Sequence, residues 1–84
     1  MDAGGRVQVM TGIAELAGAI RRYVERHPMA SDSLEGIQRW WLTDFPREVT
    51  RWELQQALDL LVAQRSLGKN TLPDGTEVYF AHGG

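Results

Sequence analysis

Residues 50–81, TRWELQQALDLLVAQRSLGKNTLPDGTEVYFA, decide the fold of this chain. Thr50 is a candidate N-cap, and Glu53 three residues later completes a capping box, in which each side chain bonds the backbone of the other residue. The pattern predicts a helix from about Arg51 to Arg65. At about 100° per residue, its apolar side carries Leu54, Leu58, Leu61 and Arg65, with Ala57 and Val62 at the margins.

A β-hairpin is predicted directly after this helix, with strands at 68–72 and 76–81 around the turn Pro73-Asp74-Gly75. Proline presets the first central position of the turn, and Gly75 supplies the positive φ that a type I turn with a bulge requires. Successive strand residues point to opposite faces, so Val78 and Phe80 share one face and Tyr79 lies on the other. We expect one of these faces to close the core against the helices.

A first helix is predicted from Thr11 or Gly12, with Glu15 in its first turn, where the helix dipole favours negative charge. It should end at His27, because Pro28 disfavours helical geometry in the residue before it. Its apolar positions follow helical spacing: Ile13, Leu16, Ala17, Ile20, Tyr23 and Val24. Before it, residues 1–10 are read as a flexible tail; the alternative is that Val7 and Val9 form a short strand.

A second helix is predicted from Ser31 or Asp32, with Glu35 as the reciprocal capping partner of Asp32. Its core face would carry Leu34, Ile37 and Trp41. Residues 43–47 then break the helical pattern.

A helix that leads into a two-stranded hairpin at the end of a small helical domain resembles the winged-helix (winged helix-turn-helix) family. The resemblance implies an α+β, mainly α fold, in which three helices are followed by a two-stranded β-hairpin wing. The winged-helix domain would occupy residues 11–81, with a C-terminal tail at 82–84. Met29-Ala30 would be the short strand that pairs with the wing.

Size and composition restrict the class of protein. The chain has 84 residues, enough for one domain, a net charge of −2 and no cysteine. The absence of cysteine excludes a disulfide framework and a thiolate metal site. No apolar run approaches the ~20 residues of a membrane span, and the first residues lack the pattern of a signal peptide. We expect a soluble, cytoplasmic protein without a membrane partner.

Catalysis is not expected. The two histidines, His27 and His82, are far apart in sequence, and there is no nucleophile motif, phosphate-binding glycine loop or metal-ligand spacing. His27 is read as a cap for the last carbonyls of the first helix. We predict no enzyme activity, no metal and no cofactor.

Double-stranded DNA is the first candidate partner, in a transcription-regulatory role, because winged-helix proteins commonly place the outward side of the third helix in the major groove. Glutamine amides there can contact adenine edges, and arginines can hold phosphates or guanine. The candidate DNA-binding residues are Arg47, Thr50, Arg51, Gln55, Gln56 and Lys69. The alternative is that these are ordinary residues of a solvated helix face.

Three features count against DNA. The sequence pI is about 5.6, whereas DNA affinity comes largely from neutralising phosphates. The wing tip carries Asp74, with only Lys69 at its base. The connection between the second and third helices, roughly 43–50, is longer than the turn of a strict helix-turn-helix.

A protein partner, or a second copy of the chain in a homodimer, is the alternative. Trp52 and Leu60 project away from the core side of the third helix, and Trp40 lies beside the core face of the second. Exposed apolar clusters often mark binding surfaces. The candidate partner-binding residues are Trp40, Phe45, Trp52 and Leu60. The competing interpretation is that the two tryptophans cover each other or are covered by neighbouring segments.

A cluster of arginines, Arg21, Arg22 and Arg26, lies near the end of the first helix. The helix dipole favours cations at that end, so we read the cluster as a solvated helix terminus.

Overall fold

The computed structural model describes the backbone of residues 3–82 and the side chains of residues 12–82. Within residues 3–82, three helices and a three-stranded antiparallel sheet make a small α+β fold. The elements are α1 (Ala3–Arg26), β1 (Ser31–Ser33), α2 (Leu34–Gly36, continued by a π-helical turn at Ile37–Trp41), α3 (Arg51–Ala63), β2 (Leu67–Thr71) and β3 (Glu77–Ala81).

In the described part of the chain, the sheet has three strands in the order β1-β3-β2, rather than the two strands of the predicted wing. The added strand β1 pairs with β3, and Ser31 lies opposite Phe80. The strand predicted at Met29-Ala30 is therefore placed too early, although its pairing with the hairpin is confirmed. The Ala30 N–H donates to the His27 carbonyl at 2.9 Å, so the chain is still turning there.

The first helix is longer than predicted. It begins at Ala3 rather than near Thr11 or Gly12, so Glu15 lies outside its first turn and the strand alternative for Val7 and Val9 is wrong. Extending an existing helix costs far less than nucleating one, so the weak helix formers before Thr11 do not mark its start. Whether residues 3–10 behave as a flexible tail stays a prediction. Residues 1–2 and 83–84 lie outside the described part of the chain.

The second helix begins at Leu34, not at Ser31 or Asp32. Those two residues belong to β1, where pairing with β3 prevents helical geometry. Ser33 is the N-cap, and its hydroxyl accepts a hydrogen bond from the Gly36 N–H at 3.2 Å. The predicted capping role of Asp32 is thus wrong; its carboxylate accepts from the Ser33 N–H at 2.8 Å.

A π-helical turn, Ile37–Trp41, completes the second helix. The predicted core face is confirmed, since Ile37 and Trp41 are buried and Leu34 packs against them. The side-chain amide of Gln38 donates to the Val49 carbonyl at 2.6 Å. This bond ties the second helix to the segment that leads into α3.

The third helix begins as predicted. The Thr50 hydroxyl accepts from the Glu53 N–H at 3.1 Å, and a Glu53 carboxylate oxygen accepts from the Thr50 N–H at 3.2 Å. Both bonds of the capping box are therefore present.

The same helix ends at Ala63, earlier than the predicted Arg65. The Ser66 N–H donates to the Leu61 carbonyl at 2.8 Å and the Arg65 N–H to the Val62 carbonyl at 3.0 Å. These two bonds form a Schellman motif, which places Arg65 in the left-handed region with φ 62°. Arg65 is consequently exposed instead of lying on the apolar side of the helix.

The hairpin turn is confirmed. Gly75 has φ 90°, and its N–H donates to the Leu72 carbonyl at 2.9 Å. On β3, Tyr79 is 1% exposed, so its face closes the core. Gly68 lies opposite Phe80, and a Cβ at this glycine would overlap the phenylalanine ring.

The core is formed by one side of each helix and the inner face of the sheet. Its buried residues are Leu16, Ala17, Ile20, Val24, Ile37, Trp41, Leu42, Leu54, Ala57, Leu58, Leu61, Leu67 and Tyr79.

Candidate functional site

The start of α3 gathers two of the predicted DNA-contacting residues, Arg47 and Thr50, around the carboxylate of Glu53. The Arg47 guanidinium lies 2.9 Å from the Glu53 carboxylate and also donates to the Glu48 carbonyl at 3.0 Å. The hydrogen bond from Arg47 and the backbone hydrogen bond from Thr50 hold the pKa of Glu53 below its ordinary value. Arg47 and Thr50 therefore already bond within the chain.

Arg51 is held much more loosely. Its guanidinium lies 4.0 Å from the Glu35 carboxylate, and the two side chains are 68% and 80% exposed. Exposed pairs of this kind contribute about 0–1 kcal/mol, so the guanidinium is free to turn toward another anion.

Gln55 forms two hydrogen bonds inside the domain. Its side-chain amide donates to the Asp59 carboxylate at 2.9 Å and to the Tyr79 hydroxyl at 3.2 Å. Because Tyr79 is buried, its hydroxyl needs such a partner. The spacing of Gln55 and Asp59 predicts their contact, but the bond to Tyr79 joins residues 24 positions apart and has no local signal.

The hairpin has little free positive charge. Lys69 lies 3.4 Å from the Glu77 carboxylate on the neighbouring strand. At the tip, hydrogen bonding from Thr76 lowers the pKa of Asp74, because these bonds favour the ionised carboxylate. The hairpin would therefore present a negative tip to a phosphate backbone.

Two tryptophans are exposed, Trp40 at 61% and Trp52 at 59%. The interpretation in which they cover each other is wrong, because no ring contact joins them among the described side chains. Leu60, on the same helix as Trp52, is 37% exposed. The outward side of α3 thus carries an apolar residue near each end.

Phe45 has no ring contact with either exposed tryptophan among the described side chains. It is half-buried in the connection before α3, and the Arg47 guanidinium lies 5.3 Å from its ring centroid. This is within the range of a cation–π contact. Gln56, the remaining predicted DNA-contacting residue, is half-buried on α3.

The ring of His27 packs against an aromatic ring, a contact that its predicted role as a cap of the first helix does not include. Its ring packs on Tyr23 with ring centroids 4.4 Å apart, and Tyr23 stacks on Trp41 at 4.8 Å. The sequence gives no local sign of this three-ring contact, because Trp41 belongs to another helix.

Comparison with known protein families, with curated proteins and with solved structures found no match. Within residues 3–82, none of the helices has the length and apolar character needed to cross a membrane. No group of three or more acidic or histidine side chains in the described part of the chain is arranged to hold a metal ion.

Proposed function

We propose that this chain is a winged-helix domain. The support is the element order helix, strand, helix, helix, strand, strand, together with the pairing of β1 against β3. In this interpretation the hairpin β2–β3 is the wing, and α3 is the helix that meets a partner.

Within that fold, the proposed function is binding of a protein partner through the outward side of α3. The observation that carries this proposal is the 59% exposure of Trp52. Exposed tryptophans are enriched among the residues that dominate protein interfaces. Leu60 lies eight residues further along, about 12 Å along the helix axis and about 80° around it, so a partner would meet two separate exposed apolar side chains on α3.

The charges around α3 favour protein over nucleic acid. Arg47 and Lys69 each lie within 3.4 Å of a carboxylate, and the wing tip is acidic. Binding to DNA would have to replace these intramolecular partners before it neutralised phosphates. A protein partner would leave them in place. A cytoplasmic location belongs to the same proposal.

Double-stranded DNA, in a transcription-regulatory role, is the second candidate. It is favoured by Arg51, which sits at the start of α3 with a highly exposed guanidinium. A single domain of this size offers a small interface, so specific binding would require a dimer on two half-sites.

The protein proposal is tested by capture with the purified chain, followed by binding measurements on the captured protein. The Trp52→Ala variant should no longer bind the captured protein. The control variant Leu72→Ala should still bind it, because Leu72 is also exposed, at 42%, but lies on the hairpin. Equal loss in both variants would contradict docking through α3. Self-association of the chain that disappears in Trp52→Ala would identify a second copy as the partner.

The DNA candidate is tested by amide-resolved NMR with a mixed-sequence duplex at about 50 mM salt, where phosphate contacts are strong. Shifts in residues 47–56 and in the wing that fade as salt rises would support DNA and contradict the protein proposal. Absence of shifts at low salt would exclude DNA for this domain.

A further inference from the structure

The exposed features of α3 repeat at one interval along the helix. Trp52 and Leu60, its two large exposed apolar side chains, are eight residues apart. Arg51 and Asp59, its two exposed charged residues, are also eight residues apart and have opposite signs. Glu53, the remaining charged residue of the helix, already forms the ion pair described above. The two halves of α3 therefore present one apolar side chain each, together with charges of opposite sign.

These residues form two neighbouring rows on the helix surface, because residues four apart are neighbours on a helix. The first row is Trp52, Gln56 and Leu60, and the second row is Arg51, Gln55 and Asp59. Two helices that cross at about 50° align rows of this kind with each other. A second α3 that runs in the opposite direction can therefore meet both ends of a row, although the ends differ by about 80° around the helix.

Reversal of direction makes this surface complementary to itself. About a twofold axis near Gln56, Trp52 faces Leu60 of the second copy, and Arg51 faces its Asp59. The axis repeats each contact, so the interface contains two apolar contacts and two ion pairs. The side-chain amide of Gln56 has both donors and an acceptor, so it can bond to the same amide of the second copy.

We propose that the partner of α3 is a second copy of this chain, and that the two copies associate through antiparallel α3 helices. The inference rests on the proposed docking through the outward side of α3 and names the partner for it. Charge complementarity selects the second copy, because a twofold contact requires a surface that complements itself. A helix with the same sign of charge in both halves would repel its own copy.

The contacts of these charges within one chain leave them available. Arg51 lies 4.0 Å from Glu35, and both side chains are highly exposed, so this pair contributes little to stability. Asp59 accepts a hydrogen bond from Gln55 at 2.9 Å. A carboxylate has about four acceptor sites, so this bond can persist while Asp59 also meets an arginine. Association thus exchanges one loose ion pair in each chain for a pair between chains.

The size of the contact predicts a weak dimer. The helix has 13 residues and is therefore about 20 Å long. One helix of this length covers less than the roughly 800 Å² that each partner contributes to a standard interface. Association should accordingly depend on concentration and rise between about 10 μM and 1 mM.

The test is sedimentation velocity over this range with the unchanged chain, Arg51→Glu, Asp59→Arg and an equimolar mixture of the two variants. Either variant alone places like charges in both ion pairs. Each exposed pair is worth about 1.5- to 5-fold, so association should weaken about 2- to 25-fold. The mixture should recover the association of the unchanged chain, because each variant then meets opposite charges on the other.

Both variants should keep the fold. The helix dipole favours an acid in the first turn, where Arg51→Glu places one, and arginine at position 59 is a good helix former. Circular dichroism checks this expectation. Arg21→Glu is the matched control, because it changes the net charge as Arg51→Glu does but lies on α1, which packs on the buried side of α3. It should associate as the unchanged chain does.

Three outcomes would overturn the inference. If the unchanged chain stays monomeric at the highest concentration, a second copy is not the partner, and capture of another protein with and without Trp52→Ala decides separately on docking through α3. Association that persists unchanged in Trp52→Ala would place the contact elsewhere on the chain. Association that Trp52→Ala abolishes, but that the mixed charge variants do not recover, would exclude the antiparallel arrangement.

Discussion

The second and third helices are held in place by different means. At the start of α3, Thr50 and Glu53 bond each other's backbone, and its end is closed by two backbone bonds. The second helix follows β1 directly and consists of one α-helical and one π-helical turn. Its position depends on buried Ile37 and Trp41 and on the bond from Gln38 to Val49. Local residues define α3, whereas contacts with other elements define the second helix.

The test with the largest expected effect on stability uses two adjacent tryptophans of the second helix. Trp41→Ala should destabilise the domain by about 3–5 kcal/mol, because it removes a buried ring that stacks on Tyr23. Trp40→Ala should change stability by less than about 0.5 kcal/mol, since that ring is exposed. Urea unfolding followed by circular dichroism measures both. Similar losses in the two variants would mean that the helix is not anchored through Trp41.

A second test compares two glycines and predicts opposite signs. Gly36→Ala should destabilise by about 1–3 kcal/mol, because its Cβ would overlap the Asp32 carboxylate. Gly18→Ala should stabilise by about 0.5–1 kcal/mol, as usual in a helix interior. The nearest atom to that Cβ, at 3.4 Å, is the flexible end of Arg22. Stabilisation by both substitutions in thermal unfolding would show that Asp32 does not pack over the second helix.

A third test asks whether the capping residues define the start of α3. Thr50→Ala removes the hydroxyl that accepts from the Glu53 N–H and should cost about 1 kcal/mol. Thr43→Ala, in the exposed connection before α3, is the control and should stay within about 0.5 kcal/mol of the unchanged chain. The difference is measured by urea unfolding. Equal values would imply that packing alone places the start of α3.

The same contrast explains which parts of the fold could be predicted. The capping box and the turn around Gly75 need residues that are at most three or four positions apart, so the sequence displays them. β1 forms because Ser31 lies opposite Phe80, far along the chain. The local sequence of this segment has the pattern of a helix start, so the sequence alone predicts a second helix that begins too early.

The candidate site residues also divide into those whose position follows from nearby residues and those whose contacts join distant parts of the chain. The outward position of Trp52 follows from helical spacing alone and agrees with its exposure. The ion pair of Arg51 with Glu35 and the bond of Gln55 to Tyr79 join different elements. Sequence spacing cannot reveal such contacts, because they depend on how the elements pack.

The smallest expected effect concerns pH. The folded chain lowers the pKa of Glu53 from its ordinary value of 4.5, chiefly through the hydrogen bond from Arg47 and then through that from Thr50. A lowered folded-state pKa means that the ionised carboxylate stabilises the fold fully above about 4.5, and that this contribution is lost as pH falls through the folded-state pKa. The Arg47–Glu53 pair is partly exposed, so its contribution should be about 0.2–1 kcal/mol.

Glu53→Gln isolates this contribution. At pH 7 the variant should be less stable than the unchanged chain by about the value of the exposed pair, 0.2–1 kcal/mol. The gap should close toward pH 2.5, where protonated Glu53 and glutamine are both neutral. Arg47→Gln should narrow the gap at pH 7 as well, because Arg47 is the first cause of the lowered pKa. A gap of constant size across this pH range would show that Glu53 acts through cap geometry rather than through its charge. In that case the geometry of the capping hydrogen bonds, without the charge of Glu53, would define the start of α3.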